Sequence, residues 1–108
     1  MRLHLLGKGG SKSGDCPSLL ATDQGTYVAQ GWRTGRADTV EIPHLLTGFA
    51  EPDTYLGATL TDTGRGTFLV TGRPISEPDV LAQLTLADDE SAIEIPKNRR
   101  AFYGAEAK

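Results

Sequence analysis

The sequence predicts a β-rich α+β domain: two β-hairpin units packed into one small, barrel-like sheet with two short helices. Three observations predict it. Thirteen glycines and six prolines among 108 residues make turns frequent and long helices scarce. Residues 17–32 and 55–71 are rich in Thr, Tyr, Phe and Val on either side of Asp/Gly turns, the pattern of half-buried strands. The chain also echoes itself. Thr22-Asp23-Gln24-Gly25-Thr26-Tyr27-Val28-Ala29-Gln30-Gly31 is matched by Thr61-Asp62-Thr63-Gly64-Arg65-Gly66-Thr67-Phe68-Leu69-Val70-Thr71-Gly72, with two residues added in the turn. Val40-Glu41-Ile42-Pro43 is matched by Ile93-Glu94-Ile95-Pro96. Two copies are fewer than the roughly three a solenoid needs, so they read as similar units sharing one core. The expected domain spans 1–96, with units at about 16–43 and 55–96.

Each element has a local reason. Residues 17–22 lead into Asp23-Gln24-Gly25, where Asp bonds the local backbone and Gly supplies positive φ, and the chain returns through 26–32. Residues 55–61 alternate, with Leu56, Ala58 and Leu60 on one face, and 62–66 turn the chain into 67–71. Pro43 suits the first position of a helix over 43–49 that Gly48 ends. Ser76 reads as the N-cap of a second helix with Asp79 at N3, and Val80, Leu81 and Leu84 recur at helical spacing. Asp88-Asp89-Glu90 reads as a solvated turn, and 92–96 as a final strand ended by proline. Residues 97–108 have no partner pattern and read as a flexible basic and aromatic tail.

Several classes are disfavoured at once. The longest apolar runs are three or four residues, against about 20 for a membrane helix, and the start is too short for a secretory signal. The single cysteine, Cys16, allows neither an internal disulfide nor a cysteine-cluster metal site, which points to the cytoplasm. The glycine-rich stretch 7–14 misses Walker spacing: Lys12 stands five residues after Gly7, and Gly14 is followed by Asp15. His4 and His44 are unlinked to each other and to Cys16, and the consecutive acids at 88–90 lack the spacing of a calcium loop. No catalytic residue, metal or cofactor is assigned.

Charge is distributed in blocks. Residues 1–36 carry a net +3 and 97–108 another +3, while 37–96 hold eleven acids against Arg65 and Arg73, a net of −9. Such a centre repels a phosphate backbone and suits a cation-rich protein. The candidate contacts are Glu41, Glu51, Asp53, Asp88, Asp89 and Glu90, with Trp32 as an apolar anchor. Arg99, Arg100, Phe102 and Tyr103 form a second candidate set, since Arg and aromatics are enriched at binding hot spots.

Ser13-Gly14-Asp15-Cys16, residues 26–33, and Val40-Glu41-Ile42-Pro43 with the following 44–49 together resemble a known set. These are the small, often acidic proteins of unknown function encoded beside helix-turn-helix regulators in actinobacteria. The resemblance covers about residues 10–50. It implies a non-enzymatic partner that modulates a helix-turn-helix regulator by protein–protein contact; the negative centre and the short apolar runs add the expectation of no direct nucleic-acid or membrane binding. Two other readings stay open: a nucleotide- or anion-binding protein or enzyme using the Gly/Lys loop with His44 or Cys16, and a self-associating module using the strand edge at 93–95.

Overall fold

The structure is a computed structural model that describes residues 1–9 and 16–101. It is a β-rich α+β fold with one open antiparallel sheet. In chain order the elements are β1 (Leu3–Lys8), β2 (Ser18–Thr22), β3 (Thr26–Arg33), β4 (Thr39–Pro43), a 3-10 helix (His44–Phe49), β5 (Thr54–Leu56), β6 (Leu60–Asp62), β7 (Thr67–Thr71), β8 (Arg73–Pro74), α1 (Pro78–Leu81) and β9 (Glu90–Arg99). The strands run β1-β2-β3-β4-β7-β6, while β9 lies along β3 and itself carries β5 and β8. Among the described residues, no helix is long and apolar enough to cross a membrane.

Two apolar clusters hold these strands. Leu19 and Ala21 of β2, Tyr27 and Ala29 of β3, and Ile93 and Ile95 of β9 pack against Val40, Ile42, Val70, Leu56 and Leu46 of the 3-10 helix. The opposite face presents Leu20, Val28 and Ala92 to Ile75 and Val80. Alternate residues of the central strands therefore enter different cores, which is why β2 is buried along its whole length.

Strand β3 changes partner along its length. Ala21 to Ser18 of β2 pair with Tyr27 to Gln30, after which Trp32 and Arg33 pair with Glu41 and Val40 of β4. Gly31 sits at the handover. A Cβ there would lie 2.5 Å from the Glu41 carbonyl oxygen and 2.8 Å from Ile42 Cγ2, so only glycine admits the close approach.

The registers repeat. Thr26, Tyr27, Val28 and Ala29 face Pro96, Ile95, Glu94 and Ile93; Thr67, Phe68, Leu69 and Val70 face Pro43, Ile42, Glu41 and Val40. Trp32 faces Glu41 and Arg33 faces Val40, as Arg73 faces Glu94 and Pro74 faces Ile93. A Cβ at Gly72 would lie 2.5 Å from the Glu94 carbonyl oxygen, as at Gly31 with Glu41. The Thr26 hydroxyl donates to Glu94 (2.7 Å) and stands 2.7 Å from Thr22; the Thr67 hydroxyl donates to Glu41 (2.5 Å) and stands 2.6 Å from Thr63. The segment matching 22–26 is therefore 63–67, with Gly25 and Gly66 both at positive φ (76° and 87°). Thr61 lies in a strand as expected, and Asp62, expected to open the turn, is the last residue of that strand, β6.

Several expectations are corrected. The strand expected over 55–61 is two strands. The Gly57 N–H donates to the Pro96 carbonyl (2.7 Å), a Cβ there would meet Asn98 Nδ2 at 2.5 Å, and the chain leaves β9 at that point to join β7. Leu56, Ala58 and Leu60 still all reach the first core. The final strand does not stop at Pro96: it starts at Glu90 and runs to Arg99, because Lys97, Asn98 and Arg99 pair with Leu56, Tyr55 and Thr54. Pro43 closes β4 in an extended conformation and precedes the 3-10 helix instead of entering it. In α1 the N-cap is Glu77, since Pro78 takes the first position; the Glu77 carboxylate accepts the Ser76 N–H (3.2 Å) and pairs with Arg73 (3.1 Å). The helix lasts one turn, and Leu84 packs from the loop beyond it. Residues 3–8, to which no strand was assigned, form β1, with a register irregularity between Leu5 and Gly7. The 93–95 edge is not open, being flanked by β3 and β8.

Candidate partner-binding groove

A hydrogen-bonded ring sets the loop after the 3-10 helix. The Tyr27 side chain crosses the first core fully buried, and its hydroxyl accepts the Glu51 N–H (2.6 Å). Thr54 Oγ1 lies 2.6 Å from the Tyr27 hydroxyl and donates to the Glu51 carbonyl (2.8 Å), which leaves Tyr27 as donor to Thr54. The circuit Glu51 N–H, Tyr27 O–H, Thr54 O–H, Glu51 C=O is closed and each bond polarises the next. Lys97 on β9 pairs with the Glu51 carboxylate and places its ammonium 4.9 Å from the centre of the Tyr27 ring, a cation–π contact.

Downstream of the ring, Asp53 takes a left-handed backbone (φ 62°), the one described non-glycine residue at positive φ. Its carbonyl accepts the Arg100 N–H (2.8 Å), tying the chain past β9 to this loop. The loop, β5 and the chain running to β6 wall a groove of about 930 Å³ whose lining includes Glu51, Asp53, Tyr55, Asn98 and Arg100. Among the described residues β5 pairs with β9 alone, so its outer backbone edge faces away from the sheet. Tyr55 is 47% exposed there. The groove thus joins a short strand edge, where the Thr54 N–H is already donated to the Glu51 carbonyl (3.1 Å) and the Leu56 backbone faces outward, with an accessible aromatic and charges of both signs. These are the elements by which a sheet takes up an extended peptide.

Four of the sequence candidates meet at this end of the molecule: Glu51, Asp53 and Arg100 at the groove, and Arg99 opposite Thr54 on β9. Phe102 and Tyr103 lie outside the described residues. Tyr27, Tyr55 and Lys97 complete the site without having been singled out in the sequence. Tyr55 carried the only signal, an aromatic at a strand start.

The remaining candidates are elsewhere. Asp88 and Asp89 lie just before the opposite end of β9, a ten-residue strand about 30 Å long. The two acidic groups therefore stand about a strand's length apart instead of forming one contiguous cluster. Glu90 is not a solvated acid: it is 2% exposed, and its carboxylate accepts the Gln30 amide (2.9 Å) and the Ala87 N–H (3.0 Å). As the first residue of β9, opposite Trp32, it turns inward where its two acidic neighbours stay outside. Trp32 is half-buried at the handover of β3.

Local pairing also breaks up the acidic block. Glu41 pairs with Arg65 (3.0 Å), Glu94 and Glu77 with Arg73, Asp38 with Arg36 and Glu51 with Lys97. The Thr67 hydroxyl, and after it Arg65, holds the Glu41 carboxyl below its ordinary value of 4.5. A depressed folded-state value means the stabilisation is present above about pH 4.5 and is lost as pH falls through the folded value. Urea midpoints measured between pH 6 and pH 3 are expected to fall, and Thr67→Ala to flatten that fall.

Cys16 is buried and its carbonyl accepts the Ser18 hydroxyl (2.8 Å). The His44 ring stacks on Phe68 (centroids 4.1 Å apart) with Nε2 3.4 Å from the Asp62 carboxylate. Of the Gly/Lys stretch, residues 10–14 lie outside the described residues. Among the described residues no three His, Cys, Asp or Glu side chains are grouped to hold a metal ion. Comparison with protein-family models, curated proteins and solved structures finds no match for the chain.

Proposed function

We propose that the chain is a non-enzymatic, cytoplasmic regulatory binding protein that modulates a helix-turn-helix transcription regulator by protein–protein contact. The groove beside β5 receives an extended segment of that regulator. One observation carries the binding role: the one-sided pairing of β5 beside half-exposed Tyr55, in a groove rimmed by Glu51, Asp53 and Arg100. Backbone hydrogen bonds to the strand edge supply affinity, the tyrosine supplies an anchor and the rim charges set orientation. The choice of regulator rests on the sequence resemblance over residues 10–50. The acidic block as a whole is no longer part of the reading, since its members are paired or divided between two ends.

The scaffold in this proposal consists of two similar units, about 16–43 and 55–96, wrapped barrel-like around the first core. What supports it is the repeated register, in which β3 meets β9 as β7 meets β4.

Affinity capture on the immobilised full chain, at low and high salt, tests the function. The expected result is recovery of a helix-turn-helix protein whose retention weakens with salt and drops at least tenfold with Tyr55→Ala. Recovery of proteins without a DNA-binding domain, or retention indifferent to Tyr55→Ala, overturns it.

A further inference from the structure

The halves of this chain are joined to each other by two long strand pairings. Inside the first half, β1 meets β2 from Leu3 to Lys8, β2 meets β3 through Ser18 to Ala21, and β3 meets β4 through Trp32 and Arg33 only. Inside the second, β5 meets β9 through Thr54 to Leu56, β6 meets β7 through Leu60 to Asp62, and β8 meets β9 through Arg73 and Pro74 only. Between the halves, β3 is paired from Thr26 to Trp32 with β9, and β4 from Thr39 to Pro43 with β7. The polar contacts follow the same crossing: Thr26 donates to Glu94 and Thr67 to Glu41, each from one half to the other. The first core also draws on both, with Tyr27, Ala29, Val40 and Ile42 against Val70, Ile93 and Ile95. Taken alone, each half would expose the long edges of two strands and one side of a core.

We infer that residues 1–52 and 53–108 recognise each other by strand exchange without need of their covalent link, so that a second copy of this chain can supply either half. The chemistry is that of the sheet: the first half offers the hairpin strand β3 and the Xaa-Glu-Ile-Pro strand β4, the second β7 and β9, and each Xaa-Glu-Ile-Pro strand fits the other half's hairpin in one register. The connection between them passes through Pro52 and Asp53, both exposed and outside the two core clusters; a cut there opens the Glu51–Thr54 turn, whose two sides each remain bonded to the Tyr27 hydroxyl. Inside one chain the effective concentration of the two halves favours the closed monomer. Where one chain's half is defective, a second chain's sound half takes its place. This inference rests on the two-unit reading of the scaffold and is independent of the regulator.

Two measurements test it. In the first, a protease site is inserted between Pro52 and Asp53 of the full chain and the folded protein is cleaved. The pieces are expected to stay together as one particle of the uncut mass, and to regain the native spectrum when separated in denaturant and remixed. Pieces that part on cleavage, or that stay unfolded on remixing, overturn the inference. In the second, full-length Gly31→Val and Gly72→Val chains are mixed in urea that unfolds each alone and leaves the parent folded. The sound second half of one and the sound first half of the other are expected to combine, giving about half the native signal and a dimer mass. A mixture whose spectrum is the average of the two variants overturns the inference, while similar loss of stability in the two single variants leaves the equivalence of the units standing. Variants as stable as the parent overturn both.

Discussion

Tyr27→Ala is expected to unfold most of the protein at ordinary temperature. The side chain is fully buried among Ala21, Leu46, Ile95 and their neighbours, and removing a buried aromatic costs about 3–5 kcal/mol. The loss also strips Glu51 N–H and Thr54 Oγ1 of their buried partner, adding about 1–3 kcal/mol. A domain of this size has about 5–15 kcal/mol in total. Urea denaturation followed by Tyr and Trp fluorescence measures the effect. Tyr27→Phe separates the two contributions: it keeps the ring in the core and removes only the hydroxyl, so it is expected to cost about 1–3 kcal/mol and to loosen the groove wall selectively. Backbone amide exchange at Glu51 and Arg100 should then quicken while that of β2 stays slow. Equal quickening in both places would show that the ring circuit has no special part in holding the groove.

Gly31→Val is expected to be the next most damaging change, at about 3 kcal/mol, the upper range for forcing atoms into packed space. The added carbon meets a backbone carbonyl, that of Glu41, and a backbone has no rotamer by which to yield. Gly72→Val meets the Glu94 carbonyl in the same way and is expected to match it within about 1 kcal/mol. Gly48→Val is the control: nothing stands within 4 Å of a Cβ at Gly48, and the expected change is within about 0.5 kcal/mol. Thermal midpoints of the three variants provide the check.

The elements that could be read from the sequence are those whose causes are local. The Asp/Gly turn at 23–25 and the Thr- and aromatic-rich runs on either side announce β2 and β3, and the run 67–71 announces β7. The paired glycines stand at matching places in the echo, yet a sequence cannot tell that a carbonyl from a strand ten residues away lies against Gly31. The break at 57–59 follows from Gly57 binding Pro96, some forty residues distant, and alternation continues across it undisturbed. Glu90 is hidden from any reading of composition because Asp88 and Asp89 precede it in one acidic run; only its place opposite Trp32 in a strand turns it inward. The net charge of 37–96 misled for a related reason. Acids of the one block, Glu51 and Asp53 against Asp88 and Asp89, are separated by the length of β9, and bases reach across the fold to other members, Lys97 to Glu51 and Arg65 to Glu41. The groove is the least legible part, since Tyr27 resembles any core aromatic until its hydroxyl is seen to meet Glu51.

The long pairing of β3 with β9 joins residues near 30 to residues near 95, with β9 slotted between β3 and β8. During synthesis the ribosome releases β3 long before β9 exists. For most of that interval the nascent polypeptide presents a bare, apolar-flanked strand edge and half a core, and closure waits until residues 90–96 emerge. A premature stop before Glu90 would remove the strand that completes the sheet and leave the β3 edge permanently bare.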